Sequence, residues 1–254
     1  MVMARIVAAE TLDSLSEQDP AAMRSRRDLQ RVHRVMGTRG IVSSALRGMT
    51  GLRPGAAPLR VLELGAGDGN LMLGVARHLK GHWPAVQLTL LDRQALVSPS
   101  TLAAYADAGW TATTRVMDVL DWSGGGGGTS LNDSPAPAWD LIVANLFLHH
   151  FEGPHLTSLL QAIAARSRCF FACEPRRSRL ALAGSHLIGA IGVNAVTRED
   201  AVLSVHAGFN NHDISALWLE PSAQALWTLR EYPAGLFSHC FVAERNALQV
   251  TGAP

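Results

Sequence analysis

Residues 59–71 read Leu59-Arg-Val-Leu-Glu-Leu-Gly-Ala-Gly-Asp-Gly-Asn-Leu71, and this stretch decides the fold. Val61, Leu62 and Leu64 form the short apolar run of a strand buried on both faces, with Glu63 near its carboxyl end. Gly65, Gly67 and Gly69 follow as a turn whose backbone tolerates positive φ and the close approach of a ligand. Leu71, Leu73, Val75 and Ala76 then supply the buried stripe of a helix. Strand, glycine turn and helix in succession predict an open α/β sheet with a nucleotide-type site at its strand carboxyl ends.

Charge and spacing narrow the ligand. The Lys-[Ser/Thr] ending of a phosphate-cradling loop is absent, and Asn70 stands where a dinucleotide fingerprint needs its third glycine. The turn Gly65-Ala66-Gly67 is flanked instead by Glu63 and Asp68. Carboxylates there disfavour a pyrophosphate and favour a cation such as S-adenosylmethionine (SAM), which carries a sulfonium and an ammonium. A second strand, 86–91, ends in Asp92-Arg93, with Asp92 placed to accept from both ribose hydroxyls. A third, 112–117, ends in Asp118-Val119, an acceptor for an adenine amino group beside an apolar contact.

These residues resemble the class I SAM-dependent methyltransferases, in particular the small-molecule group of quinone and phenolic-product biosynthesis. Glu63-Leu-Gly-Ala-Gly-Asp-Gly69 resembles the first motif of that family, Asp92 its ribose acid and Asp118-Val119 its adenine pair. Trp139-Asp-Leu-Ile-Val-Ala-Asn145 resembles the fourth strand and Arg168-Cys-Phe-Phe-Ala-Cys-Glu-Pro175 the fifth. The resemblance implies SAM as cofactor and a Rossmann-like, seven-stranded, mostly parallel sheet. Its last strand is antiparallel, and helices cover both faces. A catalytic domain over 55–254 follows, behind an N-terminal helical cap over 1–54.

Composition sets the remaining bounds. A chain of 254 residues, 48% hydrophobic and 17% charged, has the makings of one large globular domain. A formal net charge of +1 gives no electrostatic reason for a nucleic-acid or membrane partner. The expected partner is a small-molecule acceptor, with a homodimer as a candidate assembly. Three cysteines, 169, 173 and 240, make neither a disulfide framework nor a zinc signature, and are expected as buried thiols. The short apolar stretch 6–9 is no signal-peptide core, so a cytoplasmic protein is expected.

Further strands are expected near 139–145 and 168–173, with helices near 70–80, 98–108 and 154–166, an alternation that implies parallel strands. Ser215–Leu219 and Leu236–Ala243 also read as strands, too close for a parallel crossover and therefore a hairpin. In the cap, Asp19-Pro20 is a helix start, and six arginines between 24 and 39 read as a solvated face. The sharper alternative is that Arg31, Arg34 or Arg39 reaches an anionic group. The glycine run 124–128 carries no phosphate-loop context and is assigned no function.

The chemistry is expected where the fourth strand runs into Leu146-Phe-Leu-His-His-Phe151. Methyl transfer from a sulfonium needs alignment, worth about 7–11 kcal/mol, and a deprotonated acceptor. A phenol of pKa about 10 calls for a base of pKa about 6.5, which His149 or His150 supplies. The sequence does not choose between them. Past the fifth strand Glu174 could orient a histidine, and Arg176 or Arg177 could hold an anionic or phenolate oxygen. Glu174 and Arg176, with Asn194 and His206 in the insertion 176–213, are the candidate substrate contacts. No metal is expected, because Asn145 and Glu174 leave too few hard ligands at the strand ends. O-methylation is the leading expectation. C-methylation of a phenol or quinol ring and a non-catalytic SAM-binding domain are the alternatives. A nicotinamide-dependent reductase is disfavoured by Asn70 and by the lack of a Tyr-x-x-x-Lys pair, Tyr105 and Tyr232 being the only tyrosines.

Overall fold

A computed structural model describes residues 3–52, 57–124 and 138–246. The chain begins with α1 (Thr11–Ser14), α2 (Pro20–Met36) and α3 (Thr38–Arg47), then enters β1 (Leu59–Leu64). Alternation follows: α4 (Asn70–Leu79), β2 (Val86–Asp92), α5 (Pro99–Asp107), β3 (Trp110–Val116), α6 (Val119–Ser123), β4 (Trp139–Asn145), α7 (Gly153–Arg166) and β5 (Ser167–Pro175). The last part holds α8 (Arg179–Leu187), α9 (Ala195–Ala207), α10 (Ser215–Trp218), α11 (Pro221–Gln224), β6 (Trp227–Ala234) and β7 (Ser238–Arg245).

The seven strands form one sheet in the order β3-β2-β1-β4-β5-β7-β6. All pairings from β3 to β5 are parallel, and β7 runs antiparallel to both β5 and β6. This is the expected Rossmann-like sheet. Because side chains alternate across it, β1 feeds two cores. Val61 joins Leu88, Leu90, Met72, Val75 and Val42 beneath α3, α4 and α5. Leu62 and Leu64 join Ile142, Leu160, Phe170 and Trp218 beneath α6, α7 and α10. The strand order reverses between β1 and β4, so their carboxyl ends open a crevice there. Cys169, Cys173 and Cys240 are free and buried, as read from their apolar settings.

The cap helices start and stop where their sequence dictates. Asp19 accepts from the N–H groups of Ala21 and Ala22 with Pro20 in the first turn, and Gly37 ends α2 at a left-handed φ of 68°. The buried face of α2 is polar: the Ser25 and Thr197 hydroxyls meet at 2.7 Å, and Asp28 accepts from the Asn194 N–H at 2.8 Å. The cap thus docks on α9, inside the insertion 176–213. The boundary at 54–55 and the residues 125–128 of the glycine run lie outside the described residues.

One strand is corrected. Ser215–Leu219 is not β but contains α10, and the hairpin partner of β7 is Trp227–Ala234. The reason is a buried carboxylate and an aromatic anchor. Glu231 accepts from the N–H groups of Ile214 (3.0 Å) and Ser215 (2.8 Å), fixing the helix start. Trp218 then inserts among Phe170, Trp227 and Phe241, stacked on Phe170 at 5.4 Å. We expect Trp218→Ala to cost about 3–5 kcal/mol in urea denaturation. Trp218→Phe should cost much less, because the indole N–H finds no partner among the described residues.

Candidate active site

The glycine turn leaves β1 with Gly65, Gly67 and Gly69 all at positive φ, 66°, 55° and 73°. At Gly65 a side chain is excluded twice over, since a Cβ would also lie 2.2 Å from the Phe147 ring. Beside Gly67 the space is open. Asp92 braces the turn from the end of β2: Oδ2 accepts from the Gly67 N–H at 2.8 Å and Oδ1 from the Gln94 N–H at 2.9 Å. The Tyr105 hydroxyl, buried beneath the turn, donates to the Gly69 carbonyl at 2.7 Å. Asp68 accepts from the Asn70 N–H and from Gln30 Nε2 on α2. Asp118 caps α6 through the Leu120 N–H at 2.8 Å, with Val119 buried behind it.

Glu63 and Asn145 close the floor between β1 and β4. Asn145 Nδ2 donates to Glu63 Oε1 at 3.5 Å, while Glu63 Oε2 and Asn145 Oδ1 are buried without a partner among the described residues. Burial pushes the Glu63 carboxyl up to about 8, opposed by the Asn145 hydrogen bond and reinforced by the charges of Asp68 and Asp92. Two orphaned acceptors at a crevice floor mark a place prepared for a cationic donor group.

At the other end of the crevice the backbone turns sharply after β4. Leu146 takes a left-handed φ of 49°, uncommon for a branched residue and typical of functional sites. The fully buried Glu174 carboxylate holds this turn. It accepts from the N–H groups of Phe147 (3.1 Å), Leu148 (2.9 Å) and His149 (3.3 Å), and meets His149 Nδ1 at 2.9 Å. On its other side His149 Nε2 lies 3.3 Å from Glu10 Oε1. Burial alone would lower the His149 imidazole, but its bonds to Glu10 and Glu174 raise it to about 9. His150 stands beside it, ring centroids 4.2 Å apart, with Nδ1 3.3 Å from Asp13 Oδ2. Burial, then the His149 charge, lowers the His150 imidazole.

Glu10 and Asp13 belong to an amino-terminal strap that crosses the crevice. Arg5 donates to the carbonyls of Ala207 (2.7 Å) and Phe151 (2.8 Å) and lies 4.5 Å over the Phe209 ring. The Ile6 N–H donates to the His206 carbonyl, and Asp200 accepts from the N–H groups of Thr11 and Leu12. The Ser204 hydroxyl donates to Glu10 Oε1. Arg93 binds Asp13 through its carbonyl and its carboxylate.

Beneath the strap lies one continuous cavity of about 730 Å³. It is lined by Glu63, Gly65, Ala66, Gly67, Asp68, Asp92, Arg93, Asp118, Val119, Asn145, His149 and His150. The structure therefore brings together every residue expected to bind cofactor and both candidate bases. It does not bring the expected substrate contacts to the cavity wall. Glu174 is sealed behind His149. Arg176 pairs along the sheet edge, bridging Phe209 and donating its N–H to the Phe237 carbonyl. Asn194 caps α9 and ties it to the Ala21 carbonyl, while His206 contributes its backbone carbonyl to the strap. Arg31, Arg34 and Arg39 are exposed, as their solvated reading had it, and Arg26 is the cap arginine at the cavity. Glu10, Asp13, Gln30 and His33 line it without having been singled out. Asp19-Pro20 marked where α2 begins, but no local pattern ties the strap, or one face of α2, to a site formed by residues 63–151.

No family model matches this sequence, and no curated protein matches it. Solved structures do. The plantazolicin methyltransferase BpumL in complex with SAH superposes with a TM-score of 0.60 at 12% identity, over 90% of this chain and 92% of that one. An O-methyltransferase family protein from Burkholderia thailandensis gives 0.58 at 14% identity, over 91% of this chain and 62% of that one. The CurJ carbon methyltransferase gives 0.50 at 15%, over 82% and 54%. This chain has the Rossmann-like fold of those methyltransferases.

Glu174 should be the most sensitive position in the site. Glu174→Gln removes the charge from a carboxylate that serves three N–H groups and an imidazole. We expect a loss of about 3–5 kcal/mol in chemical denaturation, against near-neutral behaviour for Glu152→Gln at the exposed entrance to α7.

Proposed function

We propose that this protein is a SAM-dependent methyltransferase acting on a small aromatic hydroxyl. One observation carries the reading: the glycine turn with its acids and the histidine pair share a single cavity. SAM supplies a methyl group activated for displacement by its positive sulfur. Asp92 has acceptor capacity beyond its two backbone bonds for ribose hydroxyls, and Asp118 and Val119 suit the adenine. The orphaned oxygens of Glu63 and Asn145 suit the ammonium, since hydrogen bonds to a charged donor satisfy them where a neutral ligand would not.

The acceptor fits the remaining space, walled by Leu12, Leu29, Phe147 and Phe151 together with the His149–His150 edge. An aromatic ring matches the apolar wall, and its hydroxyl is directed at the histidine edge, where His150, its imidazole lowered by burial and by the His149 charge, takes the proton. Alignment by these walls supplies the entropic part of the rate enhancement. The strap and cap exclude water, which would compete for the hydroxyl. Attack through oxygen is the reading favoured, because the histidine edge at the acceptor end offers a place for a hydroxyl proton. Incubation with SAM and a panel of phenols, with products weighed by mass spectrometry, tests it. A methylated phenol is expected, and SAM binding with no product from any acceptor class would reduce the protein to a binding domain.

Two measurements on the cofactor follow. Asp92→Ala should weaken SAM binding by about 1.5–3 kcal/mol, roughly 10- to 150-fold, in calorimetry on a folded variant. The pH dependence should carry the mark of Glu63. Below about 8 this carboxyl is protonated in the free protein, and its proton must leave before it can pair with an ammonium. Affinity for SAM should therefore rise from pH 6 toward 8, by up to about tenfold per unit. It should fall again as the cofactor's own α-amino group, of ordinary pKa about 7.7–8.0, loses its charge. Glu63→Gln should flatten the rising limb.

A further inference from the structure

We propose that Glu10, His149 and His150 form a binding site for a divalent transition-metal ion at the acceptor end of the cavity. One donor atom from each of the three lies within 4.8 Å of the others. His149 Nε2 and Glu10 Oε1, 3.3 Å apart, already have the spacing of two ligands on one ion, about 3.0–3.4 Å for metal–ligand bonds near 2.1 Å.

The surroundings of the three residues are those of a ligand set. A metal-binding imidazole ordinarily gives its second nitrogen to a carboxylate, which fixes the tautomer and aims the ring. Glu174 does this for His149: it holds Nδ1 at 2.9 Å, and an ion would take the place of the proton that Nε2 shares with Glu10. Ser204 steadies the Glu10 carboxylate, and the strap that carries Glu10 is tied down by Asp200. Asp13 adds a carboxylate oxygen at the rim, 3.3 Å from His150 Nδ1.

Donor chemistry selects the ion. Two imidazoles and one carboxylate suit zinc, cobalt, nickel or iron, whereas magnesium and calcium require mostly oxygen. Three protein ligands leave a coordination position open toward the cavity, as at catalytic rather than structural sites. The ion's role in chemistry rests on the methyltransferase reading. The acceptor's oxygen takes the open position, its O–H bond breaks, and the proton passes to Asp13 and so to solvent. The oxygen's electron pair then forms the bond to the methyl carbon as the carbon–sulfur bond breaks. The histidine pair thus assists deprotonation by holding the ion. The absence of carboxylates at the strand ends is no guide here, because the third ligand comes from the strap.

The site is tested without any acceptor. Protein stripped with EDTA is titrated with Co²⁺, followed by its visible absorption, and with Zn²⁺ by calorimetry. One tight ion per chain is expected, with a tetrahedral or five-coordinate cobalt spectrum. Glu10→Gln and His150→Ala, each checked for a wild-type melting temperature, should weaken binding about 10-fold or more. Two variants on different elements keep the test sound if one fails to fold. No binding at submillimolar ion, or equal binding by wild type and both variants, overturns the proposal. Calorimetry of SAM on the stripped protein keeps the two readings apart: SAM bound without any ion site removes only the metal, and an ion site without SAM removes only the methyltransferase.

Discussion

The Glu174 carboxylate is the group on which the active-site end of the sheet depends. It ends β5, has no exposure to solvent, and gathers three successive backbone N–H groups and an imidazole from the turn after β4. A buried charge is tolerated only when its acceptor capacity is filled, and here the turn fills it. In return the carboxylate dictates the unusual backbone at Leu146 and the packing of Phe147 against Gly65. The glycine turn of β1 and the histidine turn of β4 are therefore fitted to one another through a single aromatic ring. Displacing either would empty the crevice between them.

Electrostatics divides the cavity into two ends of different character. At the β1–β2 end, Glu63, Asp68, Asp92 and Asp118 present carboxylates whose partners are backbone N–H groups and the side-chain amides of Asn145 and Gln30. They remain available to a polar, positively charged guest. At the β4 end, carboxylate and imidazole alternate: Glu174, His149, Glu10, and then Asp13 against His150. The first arrangement binds by lending lone pairs, and the second holds a positive charge of its own. A guest spanning both would be gripped at the first end and acted on at the second.

Much of this was legible in the sequence, and what was not has a common cause. The apolar runs from 59 to 173 and the glycine turn are local signals, so five parallel strands and the residues that line the glycine-turn end of the cavity followed from them. Ser215–Leu219 misled because a short apolar run has no period of its own. The Glu231 carboxylate and the aromatic pocket around Trp218 decided for helix from a distance. The substrate contacts failed in a related way. Arg176, Asn194 and His206 lie in the insertion but off the cavity wall: Asn194 is spent on a helix cap, while Arg176 and His206 lend only their backbones to the contacts described. Glu10 and Asp13 went unread because acidic residues near a chain's start ordinarily face water. Only α9, nearly 190 residues later, turns them inward.

The strap has a consequence for the order of events in making the protein. The Thr11 and Leu12 N–H groups find their acceptor on Asp200, and Arg5 finds its carbonyls at Phe151 and Ala207. Contacts of such sequence separation carry the largest loop-closure cost and form after the local ones. The strap residues thus leave the ribosome well before the partners that hold them. Until α9 has been synthesised and docked, the crevice has cofactor-binding walls but lacks the acidic wall opposite the histidines. The five parallel strands, all earlier in the chain than α9, can thus form before the strap has its anchor, while β6 and β7 are still to come.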